Sequence, residues 1–234
     1  MPSDRVDRSR LKDLAAFADM PADEVDDILN AAQIRRVAKG SALFEQDDPA
    51  RAFFVLAEGR LKVSQVTQDG QQVVIRYIGP GEMFGCVAVS GQSTYPGTAT
   101  AVSDSIALAW AANAAGDLIE HHPKFGARIL RSIGGRAREA HTRLREMATE
   151  RVERRVARTL LRLAHEAGRR TENGVAIDMP LSRQDVAEMT GTTLYTVSRI
   201  LSAWENDGIV ESGRQHVVIK APDALVKIAE DLPE

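Results

Sequence analysis

Between about residues 34 and 112, apolar and polar positions alternate over short runs that are separated by glycine. The runs include "FFVLAEGRLKVSQV" and "TQDGQQVVIRYI", and Asp69-Gly70 stands between two of them as a strong hairpin signal. Alternation with period two is typical of strands that are buried on one face. This segment predicts an all-β barrel or roll, preceded by a polar helical stretch, "SRLKDLAAFADMPADEVDDILNAA".

After His121, His122 and Pro123 the period changes from two to between three and four, which predicts one long helix. Its apolar or small stripe is Phe125, Ile129, Ile133, Ala137, Ala140, Leu144 and Met147. A single stripe on a long charged helix needs a partner, either its own domain or a second subunit, and the near-heptad spacing favours a symmetric helix pair. We expect the dimer interface to contain Phe125, Ile129, Ile133, Ala137 and Leu144.

A third pattern lies in "LSRQDVAEMTGTTLYTVSRILSAWENDGIV". Ser182 is a good helix N-cap with Asp185 three residues later, and Gly191 supplies the positive φ of a tight turn after the first helix. Val197 and Ile200 are the aliphatic positions that a helix-turn-helix uses to pack its helices near a right angle. Downstream, "IVESGRQHVVIK" predicts a hairpin, which is the wing of a winged helix.

If the aliphatic side chains of the second helix point inward, its outward face carries Tyr195, Thr196, Ser198 and Arg199. Arginine donates two parallel hydrogen bonds to a guanine edge, while hydroxyls suit phosphates. The alternative is a helical hairpin used only for packing. The combination of cap, glycine and wing favours a helix that reads double-stranded DNA.

Composition and charge narrow the class of protein. The 234 residues carry a net charge of −3. The segment from Lys124 to Arg162 nevertheless contains twelve basic residues and only four acidic ones, which fits either a solvated helix face or a binding surface. No run is apolar enough to span a membrane and the N-terminus lacks a signal-peptide core, so we expect a cytoplasmic protein with no membrane association. The single cysteine, Cys86, cannot by itself hold a zinc ion or an iron–sulfur cluster.

The order of β-roll, long helix and winged helix resembles the family of the cyclic-AMP receptor protein and the fumarate-and-nitrate-reduction regulator. The resemblance covers nearly the whole chain and rests on "FFVLAEGRLKV", "GPGEMFG" and "SRQDVAEMTGTTLYTVSRIL". It implies an α+β fold with an N-terminal β-roll of the cyclic-nucleotide-binding type over residues 1–120, a dimerisation helix over 121–150 and a winged helix over 151–234. It also implies a homodimeric transcription factor that binds a palindromic operator and contacts RNA polymerase.

The resemblance carries over to single positions. Arg199 matches the guanine-reading arginine of the family, and Ser198 matches a serine of the oxygen-responsive branch. Ser182, Arg183 and Thr193 match positions that contact the DNA backbone. Tyr195 departs from the glutamate of both well-known branches, and its ring is suited to a thymine methyl group rather than to a cytosine amino group. We therefore expect an operator that keeps a guanine in each half-site and differs beside it.

The effector pocket departs further from the family pattern. The expected pocket residues are Glu82, Gly85, Cys86, Pro96 and Gly97. At the positions that correspond to Cys86, Pro96 and Gly97, the cyclic-nucleotide binders of the family carry a glutamate and an arginine-serine pair. Because a buried phosphate without its arginine is poorly compensated, we expect an effector other than cyclic AMP. The N-terminal cysteines of the iron–sulfur branch are absent from the sequence, which disfavours that cluster.

Three sensing modes stay open at the level of sequence. His121 and His122 are candidate haem ligands, as in the gas-sensing members of the family, although a helix start is their commoner role. Cys86 is a candidate redox sensor or a small buried apolar residue. The third mode is a regulator without a ligand.

Two alternative functions lack sequence support. A cyclic-nucleotide module serving an enzyme or kinase would act without DNA, but the chain has no glycine-rich phosphate loop with its lysine. A metal-dependent β-barrel enzyme would need clustered ligands on the strands, and residues 34–112 contain no histidine. We therefore predict a DNA-binding regulator that is not an enzyme.

Overall fold

A computed structural model describes residues 8–91 and 93–231 of the chain. The chain divides into two compact units, unit 1 with residues 1–65 and 77–138, and unit 2 with residues 66–76 and 139–234. The expected domain boundaries near residues 120 and 150 stay predictions. The long helix is shared between the units, and the tip of one β-hairpin groups with the C-terminal residues.

Unit 1 holds the helices α1 (Arg8–Lys12), α2 (Ala22–Asn30) and α3 (Ala115–His121), and the first part of α4 (Pro123–Thr149). Helix α2 begins directly after Pro21 and carries Asp23 and Glu24 in its first turn, where acidic side chains interact favourably with the helix dipole. Helix α4 confirms the predicted long helix to within two residues at each end.

Eight strands form the predicted roll as two four-stranded sheets with the orders β1-β8-β3-β6 and β2-β7-β4-β5. The strands are β1 (Gln33–Val37), β2 (Ala42–Phe44), β3 (Ala52–Glu58), β4 (Leu61–Val66), β5 (Gln72–Ile78), β6 (Met83–Phe84), β7 (Thr98–Ala101) and β8 (Ser105–Ala111). The Asp69-Gly70 turn joins β4 to β5, and Gly70 has the positive φ of 80° that this turn requires.

An aromatic cluster forms the centre of one core of unit 1 and includes a residue of α4. The ring centroids of Phe17 and Phe125 lie 6.0 Å apart, and those of Trp110 lie 5.5 Å from both Phe53 and Phe125. The indole Nε1 of Trp110 donates a 2.9 Å hydrogen bond to the carbonyl of Ile28, so the one polar atom of the cluster is satisfied. The cluster packs the start of α4 against the roll and the N-terminal helices.

The aromatic cluster accounts for the burial of two members of the predicted helix stripe. Phe125 and Ile129 are fully buried in this core, and Ile133 packs partly against it. Both side chains are already covered within their own domain, and their assignment to a dimer interface stays a prediction. The predicted periodicity was real, but at this end of α4 it marks the face that packs on its own domain.

Unit 2 contains the predicted winged helix-turn-helix. Its helices after α4 are α5 (Val152–Ala167), α6 (Arg183–Thr190), α7 (Leu194–Asn206) and α8 (Pro222–Glu230). Its sheet has the order β11-β12-β10-β9, formed by β9 (Gly168–Thr171), β10 (Gly174–Ile177), β11 (Val210–Gly213) and β12 (His216–Ile219). The β11–β12 hairpin stands where the sequence predicts the wing.

Candidate DNA-binding and effector sites

Helix α6 begins at a complete capping box. The hydroxyl of Ser182 accepts the backbone N–H of Asp185 at 3.0 Å, and the carboxylate of Asp185 accepts the backbone N–H of Ser182 at 3.0 Å. The Ser182 hydroxyl also donates to that carboxylate. The side chain of Ser182, an expected DNA-backbone contact, is therefore already used to fix the start of α6.

The turn between α6 and α7 depends on Gly191, which has a φ of 61°. A Cβ atom at this position would also lie within 2.5 Å of the Cε atom of Met147. The backbone N–H groups of Gly191 and Thr192 both donate to the carbonyl of Ala187, so the last turn of α6 closes on itself. Glycine thus satisfies both the backbone angle and the close approach, and it sets the direction in which α7 leaves the turn.

Helix α7 has one buried and one exposed face. Val197, Ile200, Leu201 and Trp204 are buried, as predicted. Tyr195 and Arg199 are exposed one turn apart on the opposite face, and Ser198 is half-buried beside them. Within the described part of the chain, Arg199 makes no hydrogen bond or ion pair, so its guanidinium group is available to a partner molecule.

The two threonines at the start of α7 are tied to each other. Thr193 is the N-cap, and its hydroxyl accepts the backbone N–H of Thr196 at 3.1 Å. The two side-chain oxygens lie 2.9 Å apart, close enough to hydrogen-bond. Thr196, which the sequence placed on the reading face, is half-buried in this cap. The hydroxyls at this end of α7 therefore stabilise the helix start before they contact anything else.

Arg183 belongs to a cluster that sequence reasoning missed. Its Nη2 atom donates to the Ser212 hydroxyl at 2.8 Å and lies 3.3 Å from Oε2 of Glu205. Oε1 of Glu205 in turn accepts the backbone N–H of Ser212 at 2.8 Å and its hydroxyl at 2.6 Å. These three residues join the start of α6, the end of α7 and the wing strand β11. The Ser212 hydrogen bond is the main reason that the pKa of Glu205 is lowered from its ordinary value.

Several residues of the basic run from Lys124 to Arg162 form hydrogen bonds or ion pairs within their own unit. In unit 1, Arg128 donates to the carbonyl of Ala15, and Arg136 pairs with Glu82 at 3.2 Å. In unit 2, Arg158 pairs with Glu150 at 3.1 Å. Several arginines of this segment are therefore held by contacts within their own unit, whereas Arg199 on α7 makes no hydrogen bond or ion pair among the described residues.

The expected effector residues line different parts of unit 1. Gly85 has a φ of 67°, and a Cβ atom there would lie 2.9 Å from the ring of Phe54. Cys86 follows it and is buried in the core that contains the aromatic cluster. Glu82 faces α4, where it forms the pair with Arg136. Cys86 is therefore placed as a small buried apolar side chain rather than as an accessible thiol.

Pro96 and Gly97 lie against strand β4. The carbonyl of Pro96 accepts a 2.5 Å hydrogen bond from the side-chain amide of Gln65. A Cβ atom on Gly97 would lie 2.7 Å from the carbonyl oxygen of Ser64. The backbone at the two positions of the family's phosphate-binding pair is thus packed closely against its neighbours, and neither side chain carries a positive charge.

The two candidate haem ligands stand at a helix junction. His121 is exposed at the end of α3, and its Nδ1 atom lies 2.8 Å from the carbonyl of Asp117 in the same helix. His122 follows as the C-cap residue. An axial ligand needs a ring nitrogen that faces a wide cavity. A cavity of about 510 Å³ in unit 1 is lined by residues such as Arg35, Phe44 and Tyr95, and neither histidine is among its lining residues.

Within residues 8–91 and 93–231, no group of three or more histidine, cysteine or acidic side chains is arranged to hold a metal ion. Within the same ranges no helix combines the length and the apolar character needed to cross a bilayer.

The fold and the α6–α7 pair define a DNA-binding regulator in which a β-roll is joined to a helix-turn-helix. The family models agree with this class: residues 34–122 match the cyclic nucleotide-binding domain and residues 154–228 match the Crp-like helix-turn-helix domain. The chain belongs to the family of the cyclic-AMP receptor protein and the fumarate-and-nitrate-reduction regulator. It is a transcription regulator of this type and not an enzyme.

Individual relatives span most of the chain. The cyclic AMP receptor protein of Thermus thermophilus is 28% identical over 94% of this chain and 98% of its own length. The fumarate and nitrate reduction regulatory protein of Escherichia coli is 21% identical over 88% of this chain and 82% of its own length. Among solved structures, FixK2 from Bradyrhizobium japonicum superposes with a TM-score of 0.73 at 21% identity, covering 84% of this chain and 96% of that one.

Proposed function

We propose that this protein is a homodimer that binds a palindromic operator, contacts RNA polymerase and responds to an effector other than cyclic AMP. The proposal that the protein binds DNA rests on the exposed face of α7. On this face Arg199 is unpaired among the described residues, while the opposite face of α7 is buried in the domain. A recognition helix with this division places its first turns against base edges in the major groove.

The dimer is supported by an exposed stripe on α4 that shares Ala137 and Leu144 with the predicted interface. Leu130 and Leu144 are 69% and 66% exposed, and Gly134, Ala137 and His141 lie exposed between them. The spacing of four, three, four and three residues is that of a heptad seam. A second copy of α4 suits this stripe because Gly134 has no atom within 4 Å of an added Cβ, which leaves room for a close backbone approach.

A dimer built on this seam has two-fold symmetry, and its two reading helices are related by the same axis. Two equivalent helices that enter successive major grooves select half-sites about one helical turn apart, which is about 34 to 36 Å. The palindromic operator follows from that geometry. Contact with RNA polymerase rests on the family resemblance, and transcription in vitro from a promoter carrying the operator, with and without the protein, tests it.

The effector proposal rests on the chemistry at Pro96 and Gly97. A cyclic phosphate needs a charged donor, and neither residue supplies one. Titration calorimetry with cyclic AMP should give no saturable heat up to millimolar concentration. Saturable binding that raises the affinity for DNA would overturn this part of the proposal and leave DNA binding intact.

The DNA-binding proposal is tested with Arg199→Ala on an operator selected from random duplexes. Loss of a bidentate guanine contact should weaken specific binding by about 1 to 3 kcal/mol and leave nonspecific binding almost unchanged. Arg35→Ala, which removes an exposed arginine of the roll, is the matched control. An equal fall in specific and nonspecific affinity would make Arg199 a phosphate contact, and failure to select any operator would refute the proposed function.

A further inference from the structure

The first turn of α7 exposes two large apolar side chains. Leu194 is 47% exposed and Tyr195 is 78% exposed, and in the described part of the chain they are the one adjacent pair among the exposed large apolar residues. The other exposed aliphatics include Leu130 and Leu144 on the α4 seam and the single Val226 on α8. An adjacent exposed pair on a helix whose opposite face is fully buried points to an apolar binding partner.

The hydroxyls around this pair do not offset its apolar character. Thr193 and Thr196 hydrogen-bond to the helix start and lie within hydrogen-bonding distance of each other, so they already have partners inside the chain. The first turn therefore presents aliphatic carbon and an aromatic ring to solvent, whereas the next turn presents the guanidinium group of Arg199. An apolar turn followed by an arginine differs from a surface that is polar throughout.

The chemistry of the major groove offers one apolar group, the 5-methyl group of thymine. Because the N-terminal residues of a recognition helix contact base edges, the first turn of α7 lies nearest to such groups when Arg199 meets its guanine. We propose that Leu194 and Tyr195 form a methyl-reading patch that selects thymine at one or two base pairs beside the guanine read by Arg199. A protein surface is a less suitable occupant, because the charge of Arg199 and the N-terminal end of α7 adjoin the patch and both favour an anionic partner.

This inference rests on the proposed DNA-binding function and adds the base that each half-site prefers and the atom that is read. Covering one methyl group contributes about as much as burying one methylene group, which corresponds to about fourfold in affinity. Two methyl groups per half-site, four in the palindrome, should therefore change the affinity by about two orders of magnitude.

The test replaces thymine by deoxyuridine, one base pair at a time, in the selected operator, because deoxyuridine keeps the base pairing and lacks only the 5-methyl group. Competition binding at fixed salt should show about fourfold weakening at one or two positions beside the guanine. Leu194→Ala or Tyr195→Ala should abolish the difference between thymine and deoxyuridine at its own position. Tyr195→Phe, which keeps the ring, should retain it, and Val226→Ala is the matched control for removing an exposed aliphatic side chain.

The outcomes separate this inference from the function on which it rests. Equal affinity for thymine and deoxyuridine at every position of the half-site would refute methyl reading while leaving an operator-binding protein. Loss of the preference in Tyr195→Phe would mean that the hydroxyl, and not the ring, makes the contact, which also overturns the proposal for Tyr195. If no operator can be selected at all, the DNA-binding proposal fails first. Because both side chains are exposed, an unchanged thermal midpoint should accompany the variants.

Discussion

The cluster of Arg183, Glu205 and Ser212 makes a specific prediction about how the wing is held. The carboxylate of Glu205 accepts two hydrogen bonds from Ser212 at 2.8 and 2.6 Å and approaches Arg183 at 3.3 Å. Glu205→Gln keeps the size and one acceptor oxygen of this side chain but removes its charge. The variant therefore tests whether a charged acceptor fixes β11 to the ends of α6 and α7.

The expected change in the free energy of unfolding follows from the hydrogen-bond and ion-pair partners of Glu205. A hydrogen bond to a charged group contributes about 1.5 to 3 kcal/mol and a neutral one about 0.5 to 1.5 kcal/mol. The Glu205 side chain is 30% exposed and that of Arg183 is 29% exposed, so solvent screens the ion pair and we assign it less than about 1 kcal/mol. Glu205→Gln should lower the free energy of unfolding by about 1 to 2 kcal/mol at neutral pH.

The lowered pKa of Glu205 fixes the sign of the pH dependence. A carboxyl group whose pKa is lower in the folded state stabilises the fold above its ordinary value of 4.5, and this contribution is lost as the pH falls through the lowered folded value. The stability difference between the wild-type protein and Glu205→Gln should thus be constant near neutral pH. It should shrink as the pH falls below 4.5.

Urea unfolding followed by circular dichroism at a series of pH values measures this difference. Glu211→Gln is the matched control, because Glu211 lies on the same wing strand and its one side-chain partner among the described residues is Lys220, in an exposed 4.0 Å pair. The control should change stability by less than about 0.5 kcal/mol. If Glu205→Gln behaves like Glu211→Gln at every pH, the charge of Glu205 does not hold the wing and our account of the cluster is wrong.

Three other substitutions test separate parts of the structure. Phe125→Ala should lower the free energy of unfolding of unit 1 by about 3 to 5 kcal/mol in urea unfolding, because the ring is fully buried. If the variant instead lost its dimers with unchanged stability, Phe125 would be an interface residue. Leu130→Glu places a charge on the exposed seam and should give monomers by sedimentation without a loss of stability. A dimer that persists in this variant would show that the interface does not contain Leu130. Gly191→Ala should destabilise unit 2 by about 1 kcal/mol, since a φ of 61° is strained for any residue with a Cβ atom; an unchanged thermal midpoint would contradict this.

Local chemistry explains why the helix-turn-helix could be predicted from the sequence. The Ser182 cap, the Thr193 cap and the turn at Gly191 depend on residues that are three or four positions apart, so their side-chain types are sufficient to define them. The burial of Val197 and Leu201 follows from helical periodicity in the same way. The roll could be predicted equally well, because the alternation of apolar and polar residues and the Asp69-Gly70 turn are short-range signals in the sequence.

The use of each face was decided by tertiary structure. Helix α4 has apolar residues on two faces, and its periodicity alone does not say which face its own domain covers. The aromatic cluster decides this at the start of α4, because Phe17, Phe53 and Trp110 contact Phe125 from distant parts of the chain, while Leu130 on another face stays exposed.

The same distinction applies to the charged residues. The sequence by itself determined that the chain holds a roll, a long helix and a helix-turn-helix with an arginine on its outer face, because each depends on neighbours along the chain. Only the folded chain decided that Arg183 is held by Glu205 and that Arg136 pairs with Glu82, since the partners in each pair lie far apart in sequence. Hydrogen bonds and ion pairs between distant residues form only after the chain has folded, and they determine which charges remain free to bind DNA.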